Sequence, residues 1–289
     1  MSTSSRRRSD GSPTSSRSAA DPALPHRSET PLRDLPYPPI IAAAKTAFRL
    51  LGQRIDMSWN EHVPRSGGVL LAVNHIGYVD FVYGGLAANP SGRKVRFMAK
   101  RELFDHKYTG PLMRSLHHIN VDRAEGVGSY QTAVNYLRDG QAVGIFPEAT
   151  ISRAMELKEF KTGAVRIAAE AGVPLVPVVL WGTQRMMTKD HPKDCSRGKT
   201  FLIRVGEPLL PSGADPVAET AELHRVMSDL LEVAIADYPA DEQPPGSWWL
   251  PASHGGSAPS LEEAARLDTE EKAARAARRA ARRQEPPQH

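Results

Sequence analysis

The chain is short of cysteine and of long apolar runs, and each shortage excludes something. Cys195 is the only cysteine among 289 residues, so neither an intrachain disulfide nor a thiolate metal cluster can form, and a reducing compartment is the simplest setting. No apolar run approaches the ~20 residues needed to span a membrane. The N-terminal stretch is rich in Ser and Arg and lacks an apolar segment, which is not the pattern of a secretory signal. There is no Gly-x-Ser-x-Gly elbow, which disfavours a serine hydrolase. There is also no Gly-rich nucleotide loop and no clustered His, Cys and carboxylate spacing, so no cofactor or metal is expected. The formal net charge is +4 and the pI about 9.2. That excess is too small and too dispersed to argue for nucleic acid, but it fits an acidic substrate or an anionic membrane surface.

What is present is enough apolar material, 40% of residues, for one sizeable core or two small ones. Residues 1–36 are Ser, Arg and Pro with few large apolar side chains, and are expected to be a disordered tail. Residues 37–240 form the expected domain, and residues 241–289 a linker (to about 260) followed by an Ala/Glu/Arg tail. That tail has helical propensity without an apolar face. It reads as a solvated charged segment or as one attracted to anionic lipid.

Within the domain, short apolar runs alternate with helical patterns. The runs are Val69–Val73, Val95–Met98, Ala142–Phe146, Leu175–Leu180 and Phe201–Val205. The helical patterns are Val127–Leu137, Lys161–Glu170 and Val217–Ala236, the last with Leu223, Val226, Met227, Leu230 and Val233 on one face. Gly140 and Gly172 stand where helix C-caps belong. Near-continuous apolar strands separated by helices predict an α/β domain: a mixed, largely parallel sheet covered by helices on both faces. After Pro38–Pro39, the residues Ile41, Ala44, Phe48, Leu51 and Ile55 recur at helical spacing with Lys45, Arg49 and Arg54 on other faces. Such an N-terminal amphipathic helix suits a membrane interface or packing on the domain equally well.

Three His/Asp pairs share a five-residue offset: His75/Asp80, His117/Asp122 and His224/Asp229. Spacing therefore does not choose among them. In a helix, an offset of five places side chains roughly 140° apart, which disfavours His224/Asp229. In a strand it points them to opposite faces, which disfavours His117/Asp122. His75 instead follows an apolar strand directly, where ligand sites of open α/β sheets lie, and a loop there lets Asp80 fold back onto it. An alcohol needs a base to attack a thioester at neutral pH. Neutral imidazole can take that proton, and a carboxylate on the other ring nitrogen fixes the tautomer. Taken alone, the motif does not separate a base from a structurally satisfied histidine.

Four ordered motifs between about residues 65 and 182 bear on that choice. They are Asn74-His75-x-x-x-x-Asp80, then Ile119-Asn120-Val121-Asp122-Arg123, then Phe146-Pro147-Glu148-Ala149-Thr150-Ile151-Ser152, then Val173-Pro174-Leu175-Val176-Pro177-Val178. Together they resemble the glycerolipid acyltransferase family, the group containing 1-acyl-glycerol-3-phosphate acyltransferases. The resemblance runs from about residue 40 to 238 and leaves out the tails. It implies a glycerol-3-phosphate acyltransferase-like fold, His75 as general base and Asp80 as its partner. It further implies acceptor-side roles for Asn74, Lys100 (in Ala99-Lys100-Arg101-Glu102-Leu103), Arg123, Glu148 and Thr150, with Lys161 of Phe160-Lys161-Thr162-Gly163 a further candidate. A guanidinium suits phosphate because its fork bonds two oxygens at once.

The third motif departs from the pattern at two places: Ala149 stands for the usual Gly and Ile151 for the usual Arg. Arg153 is the candidate to supply the missing phosphate contact. Each residue also has a plainer reading: Arg123 as a surface ion pair, Glu148 as a helix-start acid, Lys161 as a solvated helix residue. The resemblance implies acyl transfer from acyl-CoA or acyl carrier protein to a lysophospholipid, most simply lysophosphatidic acid, by a protein bound peripherally at the cytoplasmic face of a membrane. The alternatives are another lysolipid or glycolipid acceptor, or a catalytically idle lipid-binding protein of the same fold.

Overall fold

The computed structural model describes residues 34–122 and 126–284. In chain order the elements are α1 (Tyr37–Leu50), β1 (Arg54–Ser58), β2 (Val69–Val73), α2 (Asp80–Ala87), β3 (Val95–Lys100), α3 (Arg101–Asp105), α4 (Thr109–Ser115) and β4 (Ile119–Val121). There follow α5 (Gly126–Arg138), β5 (Ala142–Ile145), α6 (Gly163–Ala171), β6 (Leu175–Trp181), β7 (Thr200–Val205), α7 (Pro216–Ala236) and α8 (Leu261–Gln284). The strands form a seven-stranded sheet in the order β1-β7-β6-β2-β5-β3-β4. Only β6 and β7 run antiparallel; every other neighbour pair is parallel. The expected mixed, largely parallel α/β sheet is what the chain builds.

Strand β2 explains why its run of five apolar residues has no polar alternation: all five are buried. Leu70 and Ala72 face the core built with α5, α6 and α7, among Val134, Leu137, Val165, Ile167, Leu223 and Met227. Val69, Leu71 and Val73 face the opposite core with Tyr83 and Ala87 of α2 and Phe97 of β3. Covering both faces removes each Val or Leu from water, at about 1.5–3 kcal/mol per side chain. The consequence for function is positional. Strands β6, β2, β5, β3 and β4 lie side by side and parallel, so their carboxyl ends share one edge of the sheet.

The structure differs from the sequence reading in five places. The N-terminal helix ends at Leu50, and Gly52 turns the chain at φ 57°. Ile55, expected as the last residue of the helical stripe, therefore lies in β1 opposite Phe201. The helix packs on the domain: Tyr37 is buried and bonds the Val95 and Leu116 carbonyls at 3.1 and 2.9 Å, and Phe48 stacks on Tyr83 at 5.2 Å. On α7 the buried stripe is Thr220, Leu223, Met227, Leu231, Ala234 and Ile235, whereas Val233 is exposed. Residues expected as a linker bring Trp249 and Leu250 into the core, where Trp249 meets Trp181 and Tyr238 at 6.0 and 5.5 Å. Beyond them Leu261–Gln284 is helical and buries Ala264. Of the expected disordered tail, residues 1–33 lie outside the described residues. Asp34 is described and pairs with the buried Arg96 at 2.7 Å.

Candidate active site

Strand β2 delivers Asn74 and His75 to the shared carboxyl edge. Asn74 is fully buried, and its side-chain amide closes a two-way tie to the backbone of Leu180: Nδ2 donates to the carbonyl at 3.0 Å and Oδ1 accepts from the N–H at 2.7 Å. The amide of Asn74, a candidate for substrate contact, thus locks β2 to the end of β6. The loop then folds back so that Asp80, at the start of α2, meets the imidazole. Asp80 Oδ2 lies 2.9 Å from His75 Nδ1 and accepts the N–H groups of Ile76 and Gly77 at 2.7 Å each. Its Oδ1 accepts the Thr183 hydroxyl at 2.6 Å. Asp80 has no exposure and the His75 side chain 19%. Gly77 suits this fold-back: a Cβ there would sit tightly against the Met187 and Thr183 carbonyls and Asp80 Oδ1, at 3.1–3.2 Å.

Because Asp80 as a carboxylate only accepts, the proton of the neutral imidazole sits on Nδ1 and the lone pair on Nε2. No hydrogen bond from the described residues occupies Nε2. The ring is held from below by Phe146, stacked at 4.1 Å and 19°, which in turn stacks on Phe97 at 5.5 Å. Phe97 lies against Gly144 of β5, where an added Cβ would come within 2.5 Å of the ring.

Glu148, after β5, is 3% exposed. Its Oε1 accepts the His75 N–H at 2.8 Å and its Oε2 the Lys158 N–H at 3.1 Å. Burial pushes its pKa up to about 8, against the pull of these bonds. Ser152 N–H completes the clasp by donating to the His75 carbonyl at 2.7 Å. The carboxyl group expected at the acceptor thus grips the backbone that carries the base. Ala149, in place of the usual Gly, takes φ 59°, the left-handed region where Gly is at home, and Ile151 is buried.

Arg153, the candidate for the missing phosphate contact, is only 6% exposed and is held by Asp190, Asp268 and Glu271, the last at 3.0 Å. Thr150 Oγ1 accepts from Lys189 Nζ at 3.1 Å. Lys161 is exposed and reaches this region through its backbone N–H, bonded to the Pro147 carbonyl at 3.0 Å. Lys100 ends β3 in register with Val121, next to Asp122, which Arg101 holds at 2.5 Å. Arg123 lies outside the described residues. Neither competing His/Asp pair forms a dyad in the described contacts. His224 packs on Phe160, Asp229 pairs with Arg225, and His117 and Asp122 sit apart in a turn and at a strand end.

Thr183 escaped the sequence reading. The signal was its place just after the apolar strand Leu175–Trp181, whose carboxyl end adjoins that of β2 once the two pair in parallel. Lys158 and Lys189 also escaped, since nothing in their spacing marks them.

A family model described as Acyltransferase matches residues 54–181. The chain is 34% identical over 178 residues to the 1-acyl-sn-glycerol-3-phosphate acyltransferase of Bacillus subtilis, covering 59% of this chain and 84% of that protein. It is 27% identical over 155 residues to the protein of the same name from Borreliella burgdorferi, covering 52% of this chain and 60% of that one. Among solved structures, the 1-acyl-sn-glycerophosphate (LPA) acyltransferase PlsC from Thermotoga maritima superposes with a TM-score of 0.60, covering 70% of this chain and 80% of that one. At 24% identity, that likeness is one of fold.

Proposed function

We infer that this chain, which belongs to the acyltransferase family, transfers a fatty acyl group from a thioester to the hydroxyl of a lysophospholipid. The acceptor is 1-acyl-sn-glycerol-3-phosphate and the product phosphatidic acid, in line with the names of its relatives. One observation carries the reading: a fully buried Asp80 holds Nδ1 of a part-exposed His75, leaving Nε2 as the basic atom. The hydroxyl proton passes to Nε2 as its oxygen attacks the thioester carbonyl carbon. The tetrahedral intermediate collapses with cleavage of the C–S bond, and the departing sulfur takes the proton from the imidazolium. General-base help of this kind contributes about 10²–10⁴-fold. Asp80 stabilises the imidazolium and holds its orientation.

The scheme as written needs neither metal nor prosthetic group. The donor is acyl-CoA or acyl carrier protein. Lys100, which ends β3, and Arg123, whose placement lies outside the described residues, are the cations proposed for the acceptor phosphate. A lipid substrate is also supported by the fringe of the carboxyl edge. Tyr78 and Phe81 beside the dyad, and Leu103, Tyr108 and Leu112 on α3, its following loop and α4, are all exposed. No helix among the described residues is long and apolar enough to cross a membrane, and such a fringe suits peripheral contact with a lipid surface at its cytoplasmic face.

The buried Ile151 and the engaged Arg153 favour a test across acceptors. Purified chain is incubated with an acyl-CoA or acyl carrier protein thioester and, in turn, lysophosphatidic acid, lysophosphatidylcholine and glycerol 3-phosphate. Equimolar thiol and phosphatidic acid are expected with the first acceptor. Preferred use of an uncharged or zwitterionic acceptor would replace the proposed substrate, and thiol release without phospholipid would mark a thioesterase.

A further inference from the structure

The charged cluster around α8 lies outside the reaction scheme. Beyond Ala264, which is buried, α8 contributes little to the core. Its attachment is instead ionic. Asp268 Oδ1 receives Arg153 Nη1 and, at 2.8 Å, Lys189 Nζ, while Oδ2 receives Lys158 Nζ. Glu271, one turn on, meets Arg153 Nη2 at 3.0 Å and Lys189 at 3.3 Å. The partners are unequal. The cations belong to the domain, with Arg153 6%, Lys189 9% and Lys158 19% exposed, whereas Asp268 and Glu271 are 19% and 28% exposed on a surface helix. A guanidinium fork and two ammonium groups converging on one small anion is a donor set that fits phosphate.

The cluster is also wired to the dyad. Arg153 follows Ser152, whose N–H holds the His75 carbonyl. The Lys158 N–H and the His75 N–H bond the two oxygens of Glu148. Lys189 follows Thr188, whose hydroxyl donates to the Ile76 carbonyl at 2.6 Å, and itself bonds Thr150.

We propose that Arg153, Lys158 and Lys189 form a socket for a phosphate monoester, which Asp268 and Glu271 of α8 occupy in the resting chain. Helix α8 is then a carboxylate latch, and ligand phosphate competes with it for the same cations. The assignment rests on the acyl-transfer reading only for the origin of the ligand. The acceptor headgroup and the 3′-phosphate of a coenzyme A donor both carry a phosphate monoester. Vacating the latch leaves Lys158 and Lys189 without their carboxylates and Arg153 with Asp190 alone, a costly state that a new anion relieves.

The test is calorimetric titration of the full chain and of Asp268→Asn/Glu271→Gln with glycerol 3-phosphate, coenzyme A and dephospho-coenzyme A. A latch closed for about nine-tenths of the time weakens binding roughly tenfold. The double variant is therefore expected to bind at least one phosphate monoester about tenfold more tightly, and Lys189→Ala in that background to lose the gain. Gain with glycerol 3-phosphate assigns the acceptor. Gain with coenzyme A and not with its dephospho form assigns the donor. Equal affinity of wild type and double variant, or a gain that survives Lys189→Ala, overturns the socket. Should the double variant fail to fold, hydrogen exchange on the wild-type chain decides. Saturating ligand should speed exchange of α8 amides after Asp268, and unchanged or slower exchange overturns the latch. Neither readout measures turnover, so failure of the acyl-transfer reading would leave these results standing, and the reverse.

Discussion

At the scale of single residues, Asp80 does the most with the least exposure. Its two oxygens take four hydrogen bonds, from His75, Ile76, Gly77 and Thr183. Asp80→Asn turns an amide NH₂ toward groups that already donate, and favours the imidazole tautomer with its proton on Nε2. We expect kcat to fall by roughly 10⁴ in steady-state assays; a loss under tenfold would argue against Asp80 as the orienting group. Glu148 gives a pH signature. It would ionise near 4.5 in an unfolded chain, and burial raises it to about 8 in the fold. The folded state therefore holds the extra proton, so the stabilisation is complete below about pH 4.5 and is lost as pH rises through about 8. The stability of the wild type minus that of Glu148→Gln, from denaturant titrations, should decline from pH 5 to 8.5; a flat difference would contradict the assignment. Ala149 at φ 59° predicts that Ala149→Gly raises stability by about 1 kcal/mol, as relief of left-handed strain outweighs the added freedom of the unfolded chain. That His75 and Asp80 meet was legible because a strand end and a loop are local features. The contacts of Asn74 and Arg153 were not, because their partners Leu180, Asp190, Asp268 and Glu271 lie far along the chain.

At the scale of elements, the strands with near-continuous apolar runs could be read directly, since burial on both faces leaves no room for polar alternation. Strand β1 was hidden for the opposite reason. Its burial alternates between exposed and intermediate, and Ile55 happens to continue the period of α1. The stripe on α7 was displaced because Val226, Leu230 and Val233 fit the same period as the residues that are buried. The junction of β2 and β6 supplies a prediction that belongs to this scale. Asn74→Ala would leave the Leu180 N–H and carbonyl without their side-chain partners in a buried place. The expected cost is ~1–3 kcal/mol per unsatisfied group, with reduced kcat because the strand end that aims His75 is loosened. An unchanged unfolding midpoint in urea would show the tie to be dispensable.

At the scale of the whole molecule, parallel pairing turns a scattered set of motifs into one place. Residues near 75, 100, 122, 148 and 183 lie along one edge of the sheet because the strands before them all end there. No single motif contains that information, although the alternation of strands and helices implies it. The segment after residue 240 was harder to read, since its Pro and Gly look like a linker and its tryptophans only make sense against distant partners, Trp249 against Trp181, Tyr238 and Arg185 and Trp248 against His191. Trp249→Ala should therefore cost ~3–5 kcal/mol, where a free linker would give a change within about 0.5. Calorimetric or urea unfolding of the full chain distinguishes the two. The central claim is that Nε2 of His75 removes the acceptor proton. It is tested most directly by following thiol and phosphatidic acid together for the wild type and for His75→Ala, with circular dichroism confirming that both are folded. Matched formation of the two products by the wild type and none above background by the variant is the predicted result; acyl transfer retained within tenfold by folded His75→Ala would contradict it.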